Sequence, residues 1–540
     1  MKKITKIVAV FLCLIMAFSV VACSQTKNSN DSKTGNNSNN DTASQSERKF
    51  YKISMYSTLH ASSSLEDIPK EGFYLDRLYE EKFNVKFDFR YVPSANSEEV
   101  FNITMASNDI PDIMTGNWNN LHKYADAFWD LNDFIIGKYK NLEKYFFDDP
   151  YVYALSAEPN GQIKILNMLS EQFLGDTLLV RGDLIEKWGI DLSKVKTKED
   201  WYEVFKLVKE KNPNMVPYMT RKKTEGVIQR LCEGWSGIKQ YVFVDEKDNT
   251  VKYGAADPRM KEVVTWLRKL YQEGLIDQEY PTTDTTKWQE KLLNDGIFLT
   301  HDNAPSRITW AATEWANLGV TDKYLIAVPP IQPDANTPGY TTIHYPKLRG
   351  GLAIYVGAEK GKVDRILEMC DYNFSEEGNI LVNYGIENVS FYYGEDGLIY
   401  DVPEYRQAVD NKTMPQKDQI KGTFASTIRL EPNGVYTPQY RRYQAVLDAA
   451  KMYEDGGLIK RNWVEVIRFS NDEQKEINEL NANIKTYTDE NLDKFIMGVK
   501  SMDEWDAFVE GYKQFKLDRY LEIYNAAYKR AMDAIGSYVK

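Results

Sequence analysis

Cysteine, histidine and clustered basic residues are scarce in this chain of 540 residues. It contains four cysteines and four histidines, and its formal net charge is −12. So few cysteines exclude a disulfide scaffold. No stretch concentrates Lys and Arg, and an acidic chain without a basic patch argues against a nucleic-acid-binding protein.

Motifs typical of common hydrolases are also missing. The histidines are widely scattered, at positions 60, 122, 301 and 344. There is no His-Glu-x-x-His, Gly-x-Ser-x-Gly or Gly-x4-Gly-Lys motif and no paired-cysteine metal spacing, which excludes zincins, α/β-hydrolases and phosphate-loop NTPases. A glycoside hydrolase stays open, because its two carboxylates leave no spacing signature among 79 acidic residues. We predict no cofactor and no metal ion.

A long apolar run occurs at the N-terminus. Three lysines within the first six residues precede an apolar run over 7–21, which is typical of a secretory signal peptide and short for a membrane span. The run ends in Val20-Val21-Ala22-Cys23, which resembles the lipobox of bacterial lipoproteins. We therefore expect residues 1–22 to be removed and Cys23 to carry a lipid that anchors the protein at the extracellular face of the cell membrane. An uncleaved signal anchor is the alternative.

The next segment is polar. Residues 24–47 contain almost nothing apolar, so burial cannot offset their ordering entropy, and we interpret 23–48 as a lipidated flexible tether. Beyond it only Cys232 and Cys370 remain. We favour buried free thiols over a bridge between them.

The mature chain alternates strand and helix patterns. A strand at 51–56, a helix at 71–83 and a second strand at 85–91 predict an α/β unit with a parallel sheet. A third short strand at 110–115 ends at the loop Gly116-Asn-Trp-Asn119. Because ligands gather beyond the carboxyl ends of strands in open α/β sheets, this loop is the first candidate site.

A second unit is predicted to begin near Asp176. An apolar strand at 177–180 precedes a helix that we expect Asp183 to cap. The buried-type strand at 298–300 leads into a polar loop that ends at Arg307. Towards the C-terminus, apolar positions recur at three and four, which predicts a helical flank over 472–535.

Several segments together resemble the family 1 extracellular solute-binding lipoproteins of bacterial oligosaccharide ABC importers. The matching segments are Ala106-Ser-Asn-Asp-Ile-Pro-Asp-Ile113, Arg181-Gly-Asp-Leu with Trp188-Gly, Lys269-Leu-Tyr-Gln-Glu-Gly-Leu-Ile-Asp277, Asn383-Tyr-Gly-Ile-Glu387 with the hairpin Tyr393-Gly-Glu-Asp-Gly397, and the helices of 494–531. The chain departs from the family at Asn388, where Gly usually follows the Glu.

The resemblance implies an α/β, two-lobed, periplasmic-binding-protein-like type II fold with a ligand cleft at the hinge and a helical C-terminal flank. We assign 50–175 and 345–400 to lobe 1, and 176–344 and 401–540 to lobe 2. The implied partners are an oligosaccharide ligand, ABC permease subunits and, through Cys23, the membrane; we expect a monomer. Some members bind calcium through an Asp/Asn-rich loop, but 245–249 lacks the required Gly and distal Glu, so we expect no calcium there.

The residues that suit a sugar site are aromatic platforms and oriented polar groups. A sugar ring offers C–H faces and hydroxyls, which Trp and Tyr rings and Asp, Asn and Arg side chains complement. The candidate ligand-binding residues are Asn117, Trp118, Asn119, Trp235, Asp302, Asn303, Arg307, Trp310, Arg349, Tyr384 and Tyr393. For several the alternative is structural: Asp302 as a helix cap, Trp118 and Trp310 as packing residues, Arg349 as half of a salt bridge. Trp235 is flanked by glycines, which favours an exposed loop.

The predicted function is therefore an extracellular lipid-anchored substrate-binding protein, not an enzyme, that captures an oligosaccharide and delivers it to an ABC import permease. The alternatives are a polysaccharide-active glycoside hydrolase and a polysaccharide-binding adhesin, and a peptide ligand is conceivable. A binding protein takes one oligosaccharide per chain, returns it unchanged and closes about a hinge. The sequence names neither the sugar nor its linkage.

Overall fold

The computed structural model describes residues 48–59, 64–171, 174–343, 347–432, 437–438 and 443–538. The predicted signal peptide, most of the predicted tether and Cys23 lie outside the described residues. The strands, in chain order, are β1 Tyr51–Thr58, β2 Val85–Val92, β3 Ile113–Gly116, β4 Ile165–Ser170, β5 Asp176–Arg181, β6 Val216–Tyr218, β7 Val242–Asp245, β8 Thr250–Tyr253, β9 Ile297–Asn303, β10 Leu325–Val328, β11 Thr341–Ile343, β12 Lys347–Ile354, β13 Phe391–Tyr393, β14 Ile399–Asp401, β15 Leu430–Glu431 and β16 Ile459–Arg461.

Helices cover more of the described chain than strands do. They are α1 Tyr74–Phe83, α2 Ser97–Ala106, α3 Trp118–His122, α4 Asn132–Ile135, α5 Lys140–Phe146, α6 Pro150–Ser156, α7 Gly182–Trp188, α8 Lys198–Lys211, α9 Lys223–Glu225, α10 Leu231–Ser236, α11 Arg259–Gln272, α12 Thr285–Leu293, α13 Ala304–Asn317, α14 Lys360–Phe374, α15 Glu376–Tyr384, α16 Pro403–Asp410, α17 Thr423–Thr427, α18 Gln444–Asp455, α19 Asn471–Ile496, α20 Trp505–Gly511 and α21 Leu517–Tyr538. A π-helical turn, Gly226–Arg230, joins α9 to α10.

The first sheet has the strand order β15-β4-β12-β3-β1-β2. Strand β1 pairs in parallel with both β2 and β3, which confirms the parallel sheet predicted for this unit. Strand β12 is antiparallel to β3 and to β4, so β4 runs in the same direction as β1 and β3. The carboxyl ends of β1, β3 and β4 therefore lie at one edge of this sheet.

The second sheet has the order β10-β5-β9-β6 and mixes both directions. Strand β5 is antiparallel to β9 and β10, whereas β6 is parallel to β9. Leu178, Leu179 and Val180 of β5 are all buried, because helices cover both faces of this sheet. The predicted strand at 177–180 is thus the centre of β5.

The connection between the sheets is short. Strand β4 ends at Ser170 and β5 begins at Asp176, six residues later, so the two ends are at most about 22 Å apart. Asp176 lies opposite Asn303, and the N–H of Ala304 donates to the Gly175 carbonyl at 3.1 Å. The carboxyl edge of the first sheet is therefore joined directly to the edge of the second sheet where β9 ends.

The assignment of 401–540 to the second lobe is wrong over its first part. Strand β15 pairs in parallel with β4 of the first sheet. In addition, the N–H groups of Thr423 and Phe424, which begin α17, donate to the Asp76 carboxylate at 2.8 and 3.0 Å. A two-residue strand leaves no sequence pattern, so its pairing could not be predicted. The other lobe boundaries stay predictions.

The predicted helical flank is confirmed as α19, α20 and α21. Helix α19 is capped by Ser470, whose side chain accepts the N–H of Glu473 while the Glu473 carboxylate accepts the Ser470 N–H. Its buried Leu492 and Phe495 pack in the same core as Leu267 of α11. This flank covers the helices behind the second sheet.

Helix α6 joins this flank to the first sheet. Tyr151 and Leu155 of α6 share one apolar cluster with Val466, Ile467 and Tyr528. The Tyr151 hydroxyl donates to the Asn462 carbonyl at 3.1 Å, and the two oxygens of the Asp149 carboxylate accept from Arg461 at 2.9 and 2.6 Å. These contacts hold α6 against the segment that precedes the helical flank.

Two smaller predictions have clear outcomes. Cys232 and Cys370 are free and buried, as predicted, and burial raises the pKa of both thiols. Asp183 does not cap the helix, because α7 already begins at Gly182 and the Asp183 carboxylate instead binds Arg181.

Asp76 should make stability depend on pH. Burial raises its pKa to about 6 from an ordinary value of 3.8, so the native state binds a proton more tightly than the unfolded chain. The contribution of this group therefore falls as pH rises from about 4 to about 6. Relative to Asp76→Asn, the wild type should lose about 2.4 kcal/mol between pH 4 and pH 7, measured by urea unfolding. Parallel pH profiles for the two proteins would contradict this.

Candidate functional site

A cavity of about 360 Å³ lies at the carboxyl edge of the first sheet. It is called here the first-sheet cavity. Its lining residues come from the ends of β1, β3 and β4, the middle of β12, and the helices α2, α3 and α17: Ser57, Thr58, Ser97, Phe101, Thr115, Gly116, Asn117, Asn120, Met168, Gly350, Gly351, Ser426 and Thr427. The described lining is rich in hydroxyl, amide and backbone groups, and none of these described residues carries a charged side chain. Such a surface suits the hydroxyls of a neutral part of a ligand.

The predicted loop after β3 does reach this cavity. Asn117 lines it and accepts the N–H of Asn120 at 2.9 Å, so its side chain also caps the short helix α3. Trp118 and Asn119 are the first residues of that helix. The side chains of these two residues lie outside the described part of the structure, so their roles as ligand contacts stay predictions.

Two glycines of β12, Gly350 and Gly351, let this strand pack closely against its neighbours at the cavity wall. Gly350 has φ +65°, and a Cβ there would lie 3.0 Å from the Gly116 carbonyl oxygen. A Cβ on Gly351 would lie 2.7 Å from the Ile165 side chain. The pairing of β12 with β4 shifts register between Leu348 and Gly351 at this point. The side chain of the neighbouring Arg349 lies outside the described residues.

A second polar group lies at the edge of the second sheet where β6 and β9 end. The buried Asp302 carboxylate accepts two hydrogen bonds from Arg221, at 2.8 and 3.0 Å, and its Oδ2 is 3.3 Å from Nε of Arg307. The Arg307 guanidinium lies 4.7 Å from the ring centroid of Trp288 and 4.8 Å from that of Trp310. These five residues are called the arginine cluster.

The electrostatics of the two arginines differ. Hydrogen bonding to Asp302 raises the pKa of Arg221, whereas burial lowers the pKa of Arg307. Sequence reasoning found Asp302, Arg307 and Trp310 but missed Arg221 and Trp288. Arg221 follows a short strand at 216–218, and the parallel pairing of that strand with β9, which brings Arg221 to this edge, is not local information.

No family model matches the chain. Two curated relatives do. A carbohydrate ABC transporter substrate-binding protein of Streptococcus pneumoniae is 25% identical over 238 residues, which is 43% of this chain and 46% of that protein. Lipoprotein LipO of Bacillus subtilis is 24% identical over 364 residues, 63% of this chain and 66% of that protein. The chain thus spans about half the length of the first relative and slightly under two thirds of the second.

Solved structures match over most of the chain. An extracellular solute-binding protein from Bifidobacterium longum subsp. infantis aligns with a TM-score of 0.69 and 17% identity, covering 89% of this chain and 98% of that one. The alginate-binding protein AlgQ2 aligns with a TM-score of 0.61 and 20% identity, with the same two coverages. The chain has the two-lobed solute-binding fold. The fold class that the sequence predicted is confirmed.

Within the solute-binding fold, the remaining candidates lie apart from the first-sheet cavity. The prediction of an exposed loop around Trp235 is wrong: Trp235 is in α10 and is 9% exposed, with Trp266 at 5.9 Å and Lys198 over its ring. Gly234 serves close packing there, since a Cβ would lie 2.6 Å from the Ile331 carbonyl oxygen. Tyr384 is half-buried beside Phe391, and Tyr393 is 43% exposed on the β13–β14 hairpin.

The structural alternative for Asp302, a helix cap, is wrong. Asn303, not Asp302, caps α13 by accepting the Ser306 N–H at 3.1 Å. Asp302 faces the two arginines instead.

Among the residues that the structure describes, no helix has both the length and the apolar character needed to cross a bilayer.

The carboxylates near the loop between β7 and β8 form ion pairs with Lys252 of β8 and Arg259 of α11. Nζ of Lys252 lies 2.9 Å from Oδ2 of Asp245 and 2.7 Å from Oδ2 of Asp248, and Arg259 also donates to Asp245 at 2.6 Å. Within the described ranges no group of three or more His, Cys, Asp or Glu side chains could hold a metal ion. The carboxylates that calcium would need are already paired with ammonium and guanidinium groups.

We therefore expect calcium to have no effect on stability. A ligand that binds only the native state raises the thermal unfolding midpoint, so a protein with no calcium site should show the same midpoint in excess CaCl₂ and in EDTA. Differential scanning calorimetry checks this. Lys252→Met is the informative second variant: it should lower the midpoint in both buffers by removing the ion pairs. A midpoint that rises with calcium in the wild type would contradict the expectation.

Proposed function

We propose that the protein is an extracellular, lipid-anchored substrate-binding protein that captures an oligosaccharide and delivers it to an ABC import permease. The observation that carries the proposal is the first-sheet cavity at the carboxyl edge of a solute-binding fold, whose described lining is rich in hydroxyl and amide groups. One relative is named as a carbohydrate ABC transporter substrate-binding protein and another as a lipoprotein, which supports the ligand class and the Cys23 anchor.

The proposed binding mechanism uses both sheet edges. Asn117, Trp118, Asn119 and Arg349 would contact the ligand from the first sheet. Asp302, Asn303, Arg307 and Trp310 would contact it from the second, with Tyr384 and Tyr393 as further contacts. Trp235 is left out, because its ring is buried in the core. Hydrogen bonds to hydroxyls would orient the sugar, and each stacked ring would remove apolar area from water at about 25 cal/mol per Å².

Closure would convert binding into a transport signal. The chain passes between the sheets from β4 to β5, from β10 to β12, and again between β15 and α18. Such connections permit hinge motion that brings the two edges together around a ligand. A ligand that contacts both edges binds the closed state better and shifts the population towards it, so the permease would read a surface that forms only when sugar is bound.

A glycoside hydrolase fits this geometry less well. Retaining and inverting glycosidases need two carboxyl groups on either side of the scissile bond. None of the described residues that line the first-sheet cavity carries a carboxyl group. The Asp302 carboxylate at the second edge is held by two arginines, which suits a structural anion rather than an acid that donates a proton.

The test is a ligand panel on the mature chain without its lipid, residues 24–540. Oligosaccharides and peptides are screened by thermal shift, and the best ligand is measured by calorimetry and mass spectrometry. We expect one oligosaccharide per chain, recovered unchanged, with a smaller radius of gyration in the complex. Shorter products would indicate a glycosidase, binding of long polymer without compaction would indicate an adhesin, and failure of every glycan would refute the proposal.

A further inference from the structure

We propose that the captured oligosaccharide is acidic, and that a carboxylate on one of its sugars binds Arg307 of the arginine cluster. The inference rests on the proposed function and adds the substrate class. It begins with a charge imbalance. Asp302 is one carboxylate facing two guanidinium groups, and Arg221 already donates two hydrogen bonds to it. One positive charge is therefore left over at this edge of the second sheet.

Arg307 carries that surplus charge in an unusual state. Its side chain is 12% exposed, and its contact with Asp302 is an ion pair at 3.3 Å through Nε, an atom that makes no hydrogen bond within the described structure. Neither terminal nitrogen of Arg307 donates a hydrogen bond to a described residue. A largely buried guanidinium with free donors is costly unless a partner supplies acceptors.

The two indoles hold the guanidinium in position. Trp288 is fully buried and its Nε1 donates to Thr300 at 2.9 Å, so its ring is fixed. Trp310 stacks on it with centroids 6.1 Å apart and planes 29° apart, and Arg307 lies against both rings. Stacking covers the faces of a guanidinium group and leaves the N–H donors at its edge free. Those coplanar donors can bind a carboxylate through two parallel hydrogen bonds.

The surroundings are cationic although the protein is acidic. Lys222 and Lys223, which follow Arg221 directly, are both exposed. Arg230 lies 3.5 Å from Asp176 and 3.6 Å from Glu225. This edge therefore has three acidic residues, which are Asp176, Glu225 and Asp302, and five basic ones, which are Arg221, Lys222, Lys223, Arg230 and Arg307. In a chain of net charge −12, this edge should attract an anion.

The opposite edge explains why the anion would be part of a sugar. None of the described residues that line the first-sheet cavity is charged, so this part of the lining suits neutral hydroxyls. A ligand that meets hydroxyl and amide groups on one side and a stacked arginine on the other has both hydroxyls and an anionic group. Sugar carboxylates and sugar sulfates both supply such a group. We choose the carboxylate because Asp302 already shows that this cluster accepts one in bidentate geometry.

The experiment compares acidic oligosaccharides with their neutral counterparts on the mature chain. The probes are short oligogalacturonates, glucuronoxylan fragments and alginate oligosaccharides, each paired with its carboxyl-reduced form, plus sulfated and neutral oligosaccharides. Calorimetry should find one acidic probe that binds at least roughly 10-fold more tightly than its reduced form, with affinity that falls as salt is raised. Both measurements use the wild type alone.

The variants then locate the contact. Arg307→Met keeps the length of the side chain against the indoles without the charge and should reduce the preference for the acidic probe to about 1, while Arg307→Lys should keep part of it. Arg519→Gln, at an exposed ion pair on α21, is the charge-matched control and should keep all of it. Equal binding of acidic and reduced forms, preference for sulfated probes alone, or an unchanged preference in Arg307→Met would overturn the inference. Those outcomes leave the proposed function standing, whereas absence of binding to every glycan refutes the proposed function itself.

Discussion

Ser426→Trp should lower ligand affinity by about 100-fold or more, about 2.7 kcal/mol, with little effect on folding. Ser426 lies on α17, lines the first-sheet cavity and is exposed. Its hydroxyl makes no hydrogen bond to a described residue. Because the side chain is exposed, a larger one at this position displaces solvent and not core residues. An indole in a cavity of about 360 Å³ would occupy space that the ligand needs.

The matched control is Ser426→Ala. It removes the hydroxyl and leaves the cavity open, so its affinity should stay within a few-fold of the wild type, since one lost hydrogen bond costs about 1 kcal/mol. Calorimetry with the best ligand of the panel gives both affinities, and the thermal unfolding midpoints show whether either variant disturbs the fold. Wild-type affinity in the folded Ser426→Trp protein would remove the first-sheet cavity from the proposed site.

Local patterns predicted the part of this site that lies on consecutive residues. At the start of β2 the buried Val85 and Phe87 alternate with the exposed Lys86 and Asp88, as they do in the sequence pattern. The end of the β3 pattern correctly indicated that Asn117 lies at a carboxyl edge. The 3.6-residue periodicity likewise predicted the long helices α19 and α21. Each of these predictions rests on a hydrophobic repeat or a strand end that can be read from a few consecutive residues.

The rest of the site depends on contacts between distant segments. Arg221 and Asp302 are 81 positions apart, and only the pairing of β6 with β9 brings them together. The two-residue strand β15 joins the first sheet through Leu430 without any pattern of its own. The glycines beside Trp235 favour a loop in the sequence, but in the structure Gly234 permits a close approach of backbone to a buried helix.

Arg181→Ala should lower the free energy of unfolding by about 3 kcal/mol. Arg181 is 1% exposed, and its guanidinium donates two hydrogen bonds to Asp183, at 2.7 and 2.6 Å, and one to Asp295 at 2.7 Å. Burial alone would lower the pKa of Arg181, but the two carboxylates outweigh it and the pKa is raised. Removing the arginine leaves Asp183 largely buried and without its ion pair, which is the costly half of such an arrangement.

Two controls separate this effect from a general loss of charge. Arg406→Ala removes one member of the exposed pair Arg406–Asp410 and should cost less than about 1 kcal/mol. Arg181→Met restores packing against Trp315 but not the hydrogen bonds, and should fall between the alanine variant and the wild type. Urea unfolding followed by circular dichroism gives the three midpoints, and equal midpoints for Arg181→Ala and Arg406→Ala would refute the prediction. Strand β5 begins with Asp176 at the edge that we propose faces the ligand and ends with Arg181 at the far edge. Ligand affinity of the folded Arg181→Ala protein should therefore be unchanged. A loss of stability without a loss of affinity would place the energetic cost in the second sheet and leave the binding edge intact.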